Sequence, residues 1–291
     1  MKKFIEVVHE YMVYDAKENK YSTGTKEKKA YQFNHLVYFL YSSGIQNLCA
    51  DEIKVRHMML YKEWLRDNTS TKSNEHISRH IRFCSSAMNY AVCMDYADSN
   101  RIMSMELKKD PPKEIICLEP HEIILFEGYR SERLTWQMAV DFYLFLIYTG
   151  ISYMDLWLFD VTKEKMFYKS RIITLELITC FNGRGKNGQL YWAEFIPKAR
   201  GIWEKYNREL PFIHDQTFNN IIKKVAKELG INKNLTTHTG RKTFCNVKDD
   251  EGYSLGSITK MVGNTQQVML KHYLKKNKKS LLLEILEKKY R

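Results

Sequence analysis

The stretch HTGRKTF, residues 238–244, sets His238 and Arg241 three positions apart just before an apolar run. On a helix that spacing puts both on one face. Arginine offers a planar fork of donors that suits phosphate oxygens, so an anion is the chemistry such a pair serves. By itself the pair says little, because a basic chain with nine histidines produces H-x-x-R from composition. Three other stretches supply a context. TGISYMDL (149–156) closes an apolar run, NGRGKNG (182–188) carries Lys186, and GNTQQVMLKHY (263–273) places Asn264 nine residues ahead of Tyr273.

The chain that must position these groups has 291 residues, enough for two ordinary domains. Hydrophobic residues make up 44% and charged residues 27%, a globular mixture rather than a disordered one. A net charge of +12 favours a polyanionic partner, nucleic acid first and an anionic membrane surface second. The six cysteines form no C-x-x-C pair and no zinc-type spacing, which predicts reduced, mostly buried thiols and no metal site. The first twenty residues are too polar for a signal peptide. FYLFLIY (142–148) is far too short to span a membrane. A soluble, cytoplasmic protein without membrane attachment is expected.

The pattern is mainly α with a small β-sheet. KEKKAYQFNHLVYFLYS (26–42) carries Tyr31, Leu36, Val37 and Leu40 at helical spacing and ends near Gly44. IKVRHMMLYKEWLR and NEHISRHIRFCSSAMNYAVCMDYA repeat the pattern with basic residues on the other face. Three or four such helices make a small bundle over residues 1–105. Residues 106–116, with two prolines and a charge run, read as a linker. The second domain, 117–291, opens with a helix near 119–129. LTWQMAVDFYLFLIYTG follows, apolar nearly all round and so buried, with Gly150 as its C-terminal cap. RIITLELITC and QLYWAEFI have β texture, and NGRGKNG between them has the glycines of a hairpin turn. Helical patterns then run to the end of the chain. About 25 residues precede the first clear helix, so a further domain ahead of the bundle is expected to be absent or vestigial.

In order and spacing, the buried helix ending in TGISYMDL, the hairpin with Lys186, HTGR and the late tyrosine resemble the tyrosine recombinase (phage integrase) family. The texture is similar to integrases of Bacteroidetes mobile elements. The resemblance covers nearly the whole chain. It implies a helical core-binding domain and a mixed α/β catalytic domain that close as a clamp around double-stranded DNA. It also implies cleavage with no metal or cofactor, because the phosphodiester energy is kept in a 3′-phosphotyrosine and returned on religation. Tyr273 is then the nucleophile. Arg241 grips the non-bridging oxygens, and His238 hydrogen-bonds the phosphate and helps move the proton. Lys186 is the general acid for the leaving 5′ oxygen, Asn264 takes the last phosphate-facing position, and Arg184 and Lys242 contact DNA. Self-association in a synaptic tetramer and accessory DNA-bending proteins belong to the same picture. The apolar tail (Leu281, Leu282, Leu283, Ile285, Leu286) docks either on a neighbouring protomer or on its own domain.

The sequence departs from the family pattern at two positions. Ser152 stands where an arginine usually follows T-G-(Leu/Ile), although Asp155 keeps the acidic position three further on. Asn264 stands where histidine or tryptophan is usual. Removing one strong donor from a developing oxyanion costs about 3–4 kcal/mol of barrier. Arg184, Arg130 and Arg133 are the candidates to replace it. The competing reading is a recombinase-derived DNA-binding protein, regulatory or architectural, whose catalysis has lapsed. A small-molecule phosphoryl-transfer enzyme lacks both a glycine-rich phosphate loop and a use for the basic first domain.

Overall fold

Helix boundaries fall largely where capping residues put them. In the computed structural model, which describes residues 2–70, 72–108, 110–111, 113–180, 188–275 and 289, the chain forms two compact units, 1–112 and 113–291.

The first unit holds four helices: α1 (Phe4–Glu18), α2 (Thr23–Ser42), α3 (Val55–Asn68) and α4 (Asn74–Cys93). Gly44, at φ 67°, lies just past the end of α2 in the left-handed region. At the start of α4 the Ser73 hydroxyl accepts from the His76 N–H at 3.1 Å, the expected N-cap bond. The core joins Phe4, Val7 and Val8 of α1 to Leu36, Phe39 and Leu40 of α2, with Tyr61 and Leu65 of α3 and Ile81, Cys84 and Met88 of α4. Two sequence expectations need correction. The segment before residue 25 is mostly helix α1, whose Phe4, Val7 and Val8 follow helical spacing and bury the N-terminus in the bundle. Tyr31 is 45% exposed, and Phe39 takes the core place expected of it.

The second unit opens with α5 (Pro120–Gly128), started by Pro120 and a capping box in which Glu119 N–H donates to Glu122 Oε2 at 2.7 Å. Helix α6 (Leu134–Thr149) follows, buried almost continuously from Ala139 onward and capped by Gly150 at φ 67° as the sequence indicates. The sheet is antiparallel, ordered β1 (Asp160–Tyr168), β2 (Arg171–Thr179), β3 (Trp192–Glu194). The β2–β3 pairing is the expected one. β1 was not expected: it is exposed along most of its length, so it lacks the apolar alternation that marks a strand. Helices α7 (Pro197–Lys205), α8 (Asp215–Glu228), α9 (Thr237–Asp250), α10 (Leu255–Val262) and α11 (Gln266–His272) follow among the described residues. α6 is the axis of this unit and packs against α7, α8 and α9. The fold is therefore mainly α with a small sheet. No helix among the described residues is long and apolar enough to cross a membrane.

Candidate active site

Helix α9 is drawn onto α6 by its first turn. The Thr239 hydroxyl donates to Thr236 O at 2.6 Å and accepts from Thr236 N–H at 2.9 Å. Its single proton is thereby used, so the Tyr143 hydroxyl, 2.8 Å away, is the donor in their contact. Burial pushes the Tyr143 phenol well up, which keeps that proton in place. Gly240 permits the close approach, because a Cβ there would stand 3.1 Å from Leu146 Cβ and 3.2 Å from Tyr143 Cε2. The glycine of HTGR thus lies where the two helices pack closely.

Arg241 follows at once and is 1% exposed. Its guanidinium donates to the carbonyl of Gly150 at 2.5 Å and to the carbonyl of Val262. Gly150 caps α6 and Val262 ends α10, so both are carbonyls left over at helix C-termini, where the helix dipoles gather negative charge. Two helix ends thereby steady a buried cation. Its Nε is buried and has no hydrogen-bond partner among the described residues.

Tyr273, 5% exposed, lies directly against this group. Its ring centroid is 6.0 Å from the Arg241 guanidinium carbon and 5.1 Å from the His238 ring, which it meets edge-on at 72°. His238 itself is exposed. Three residues separated by up to 35 positions, His238, Arg241 and Tyr273, are thus one cluster. Asn264 belongs to its border. It sits two residues past Val262, its N–H donates to Thr259 O at 3.1 Å, and its Nδ2 is 3.8 Å from the sulfur of Met269, one turn ahead of Tyr273. Lys242 is half-buried, and burial lowers its pKa. Lys186, Arg184 and the apolar tail lie outside the described residues.

The Ser152 hydroxyl donates to Asp155 Oδ2 at 2.7 Å and closes a short turn beneath Gly150. Neither Arg130 nor Arg133 replaces the missing guanidinium. Arg133 caps the opposite end of α6, where it lies over Trp136, about 24 Å of helix from Gly150 at 1.5 Å per residue. Arg130 donates to the carbonyls of Glu127 and Tyr129, both at 2.7 Å, in a cleft lined by Gln137, Asp141 and Leu144. That face of α6 is turned away from Tyr143 and Leu146, which meet α9.

Sequence reasoning overlooked Asn246 altogether. Its Nδ2 donates to the carbonyl of Tyr273 at 2.7 Å, and its Oδ1 accepts from Lys275 N–H at 2.9 Å. No spacing rule announces a side chain that holds backbone 27 residues away.

No family model matches the sequence, and no curated protein matches it. Solved structures do. The Tn1549 transposon integrase, in complex with a circular intermediate DNA, aligns with a TM-score of 0.71 over 99% of this chain and 100% of that chain, at 13% identity. A lambda integrase dimer bound to a COC′ core site gives a TM-score of 0.66, covering 91% of this chain and 75% of that one at 12% identity. A lambda integrase tetramer bound to a Holliday junction gives 0.66, covering 91% and 78% at 11% identity. The chain has the tyrosine-recombinase fold. In this tyrosine-recombinase fold α6 and α9 bring the TG turn and HTGR together, and α10 and α11 return Tyr273 to them.

Proposed function

We propose that the protein is a site-specific DNA recombinase that cleaves and rejoins double-stranded DNA through a 3′-phosphotyrosine. One observation carries the reading. A buried arginine, held by two helix ends with its Nε unpartnered among the described residues, lies against the ring of Tyr273, with His238 on the same ring. Tyr273 attacks the phosphorus, and Arg241 stabilises the charge that develops on the non-bridging oxygens. His238 hydrogen-bonds the phosphate and moves the proton, while Asn264 adds a donor. Lys186 protonates the departing 5′ oxygen. Residues 1–105 serve as the core-binding domain, 106–116 as linker and 117–291 as the catalytic domain, with Arg184 and Lys242 on DNA. The Tn1549 and lambda integrases with this fold are bound to DNA, one of them as a tetramer on a Holliday junction. A net charge of +12 suits the same partner. The protein is accordingly a soluble, cytoplasmic one that assembles as a tetramer on its sites, with accessory DNA-bending proteins where the sites require them. Integrases of the Bacteroidetes type, which the sequence resembles, often lack the arginine that Ser152 replaces.

A second reading, a DNA-binding protein whose catalysis has lapsed, is favoured by one feature. The Ser152 hydroxyl is committed to Asp155 and offers the phosphate no cation. Denaturation-resistant protein–DNA adducts separate the two. The recombinase reading expects them from the wild type and none from Tyr273→Phe. Equal, salt-sensitive DNA binding by both with no adduct from either would favour the lapsed enzyme.

A further inference from the structure

The end of α11 is a poor place to leave a nucleophile unattended. Tyr273 caps that helix at φ −121° and ψ −47°, so its carbonyl has left the helical ladder. Leu274 N–H still reaches back to Met269 O at 3.1 Å. The carbonyl of Tyr273 and the N–H of Lys275 are met by one side chain. Asn246 Nδ2 donates to Tyr273 O at 2.7 Å and to Lys242 O at 2.8 Å, while Oδ1 accepts from Lys275 N–H at 2.9 Å. Two carbonyls on one side and an N–H on the other fix which way the amide faces.

Asn246 lies on α9, the helix that also carries His238 and Arg241. The same helix therefore touches Tyr273 at both ends, the ring through His238 and Arg241 and the backbone through Asn246. One more side chain reaches the segment: Glu119 Oε1 accepts from Lys275 Nζ at 2.6 Å. That ion pair is a third to a half exposed and contributes little to stability. Only an asparagine-sized amide supplies both donors and the acceptor at this distance. Aspartate lacks the donors, and serine is too short.

We infer that Asn246 is a positioning residue that sets the backbone of Tyr273, and so the distance of its hydroxyl from the phosphate held by Arg241. The inference rests on the reading of Tyr273 as nucleophile. It goes beyond that reading by assigning a residue that no spacing or resemblance indicates.

The test is single-turnover formation of the covalent adduct on a nicked duplex that traps it, with the full chain at saturating DNA. Misplacing a reacting group by about 1 Å costs on the order of a hundredfold. Asn246→Ala is therefore expected to cleave about 10- to 100-fold more slowly, with its DNA dissociation constant within about twofold of the wild type. Glu119→Gln, which removes the exposed ion pair and keeps an acceptor for the α5 capping box, should cleave at the wild-type rate. Asn246→Asp supplies a second signature, read per folded molecule at each pH because the same protonation also stabilises the fold. Its carboxyl regains an O–H donor when protonated, so its rate relative to Asn246→Ala should climb as the pH is lowered from 8 to 5.5. Wild-type cleavage by Asn246→Ala, or a deficit that merely follows its unfolded fraction in a melting curve, overturns the inference alone. Absence of adduct from the wild type overturns the nucleophile reading and this inference with it.

Discussion

The guanidinium of Arg241 and the carbonyl of Gly150 are hydrogen-bonded at 2.5 Å, across 91 residues of sequence. The bond ties the helix that carries HTGR to the turn that carries TG, and the same arginine also closes on Val262. Arg241 therefore has a structural task beside its proposed chemical one. Arg241→Ala leaves two carbonyls without their donor, and an unsatisfied buried group costs about 1–3 kcal/mol. A loss of about 2–5 kcal/mol in urea unfolding is expected. Arg241→Lys keeps the charge and loses the fork, so it should be the milder change in stability. Adduct formation by this variant should nonetheless fall at least about a hundredfold.

Gly150 is constrained twice. Its φ is 67°, and a Cβ there would stand 2.3 Å from Phe244 Cδ1. Left-handed backbone costs a non-glycine residue about 1–2 kcal/mol, and overpacking adds about 1–3 kcal/mol. Gly150→Ala should therefore destabilise by about 2–5 kcal/mol. Gly230, at φ 72° with nothing within 4 Å of its would-be Cβ, is the control. Gly230→Ala should cost only the backbone share, and the difference between the two variants measures the clash with Phe244.

The first unit should be acid-labile. His80 is buried with His76 and His35 around it, their ring centroids 4.7 and 5.5 Å away, and the Tyr61 hydroxyl 2.9 Å from its Nδ1. Burial pushes His80 down to about 3 and lowers His76 as well. The unfolded chain takes up those protons near pH 6.5 while the folded one refuses them, so the unfolded state binds more protons throughout that window. Stability is complete above about pH 6.5 and falls as the pH drops toward 3. The melting temperature should decline between pH 7 and 5. His80→Asn, whose amide can still meet Tyr61, should flatten that decline.

DNA binding should be strongly salt-dependent and independent of the tyrosine hydroxyl. A protein that neutralises six to ten phosphates loses about 10³–10⁵ in affinity between 50 and 200 mM salt. Fluorescence anisotropy with wild type and Tyr273→Phe should give the same slope of log K against log salt. A flat slope would remove nucleic acid as the partner.

Much of this architecture is legible in the sequence, for physical reasons that differ by element. α6 shows itself because it is apolar all round and ends in Gly150. HTGR stands out because its histidine and arginine fall on one helix face and share a donor chemistry suited to an anion. β1 stays hidden since it buries almost nothing, and α7 because Pro197 and Gly201 look like loop residues although proline suits a first helical turn. α1 is legible in principle, since Phe4, Val7 and Val8 carry the helical period. Arg130 and Arg133 looked able to replace the arginine absent at Ser152, because chain order does not say which end of a helix a residue serves. Asn246 shows no pattern in sequence, since its partners are backbone atoms.

The most direct measurement is to find the nucleotide. After cleavage of a trapping duplex, nuclease and protease digestion followed by mass spectrometry would place the covalently attached 3′-phosphonucleotide on a peptide of known sequence. It is expected on the tyrosine of the peptide spanning residues 272–275, HYLK, at Tyr273. A nucleotide on any other tyrosine, or no nucleotide from a wild-type protein that still binds the duplex, would contradict it.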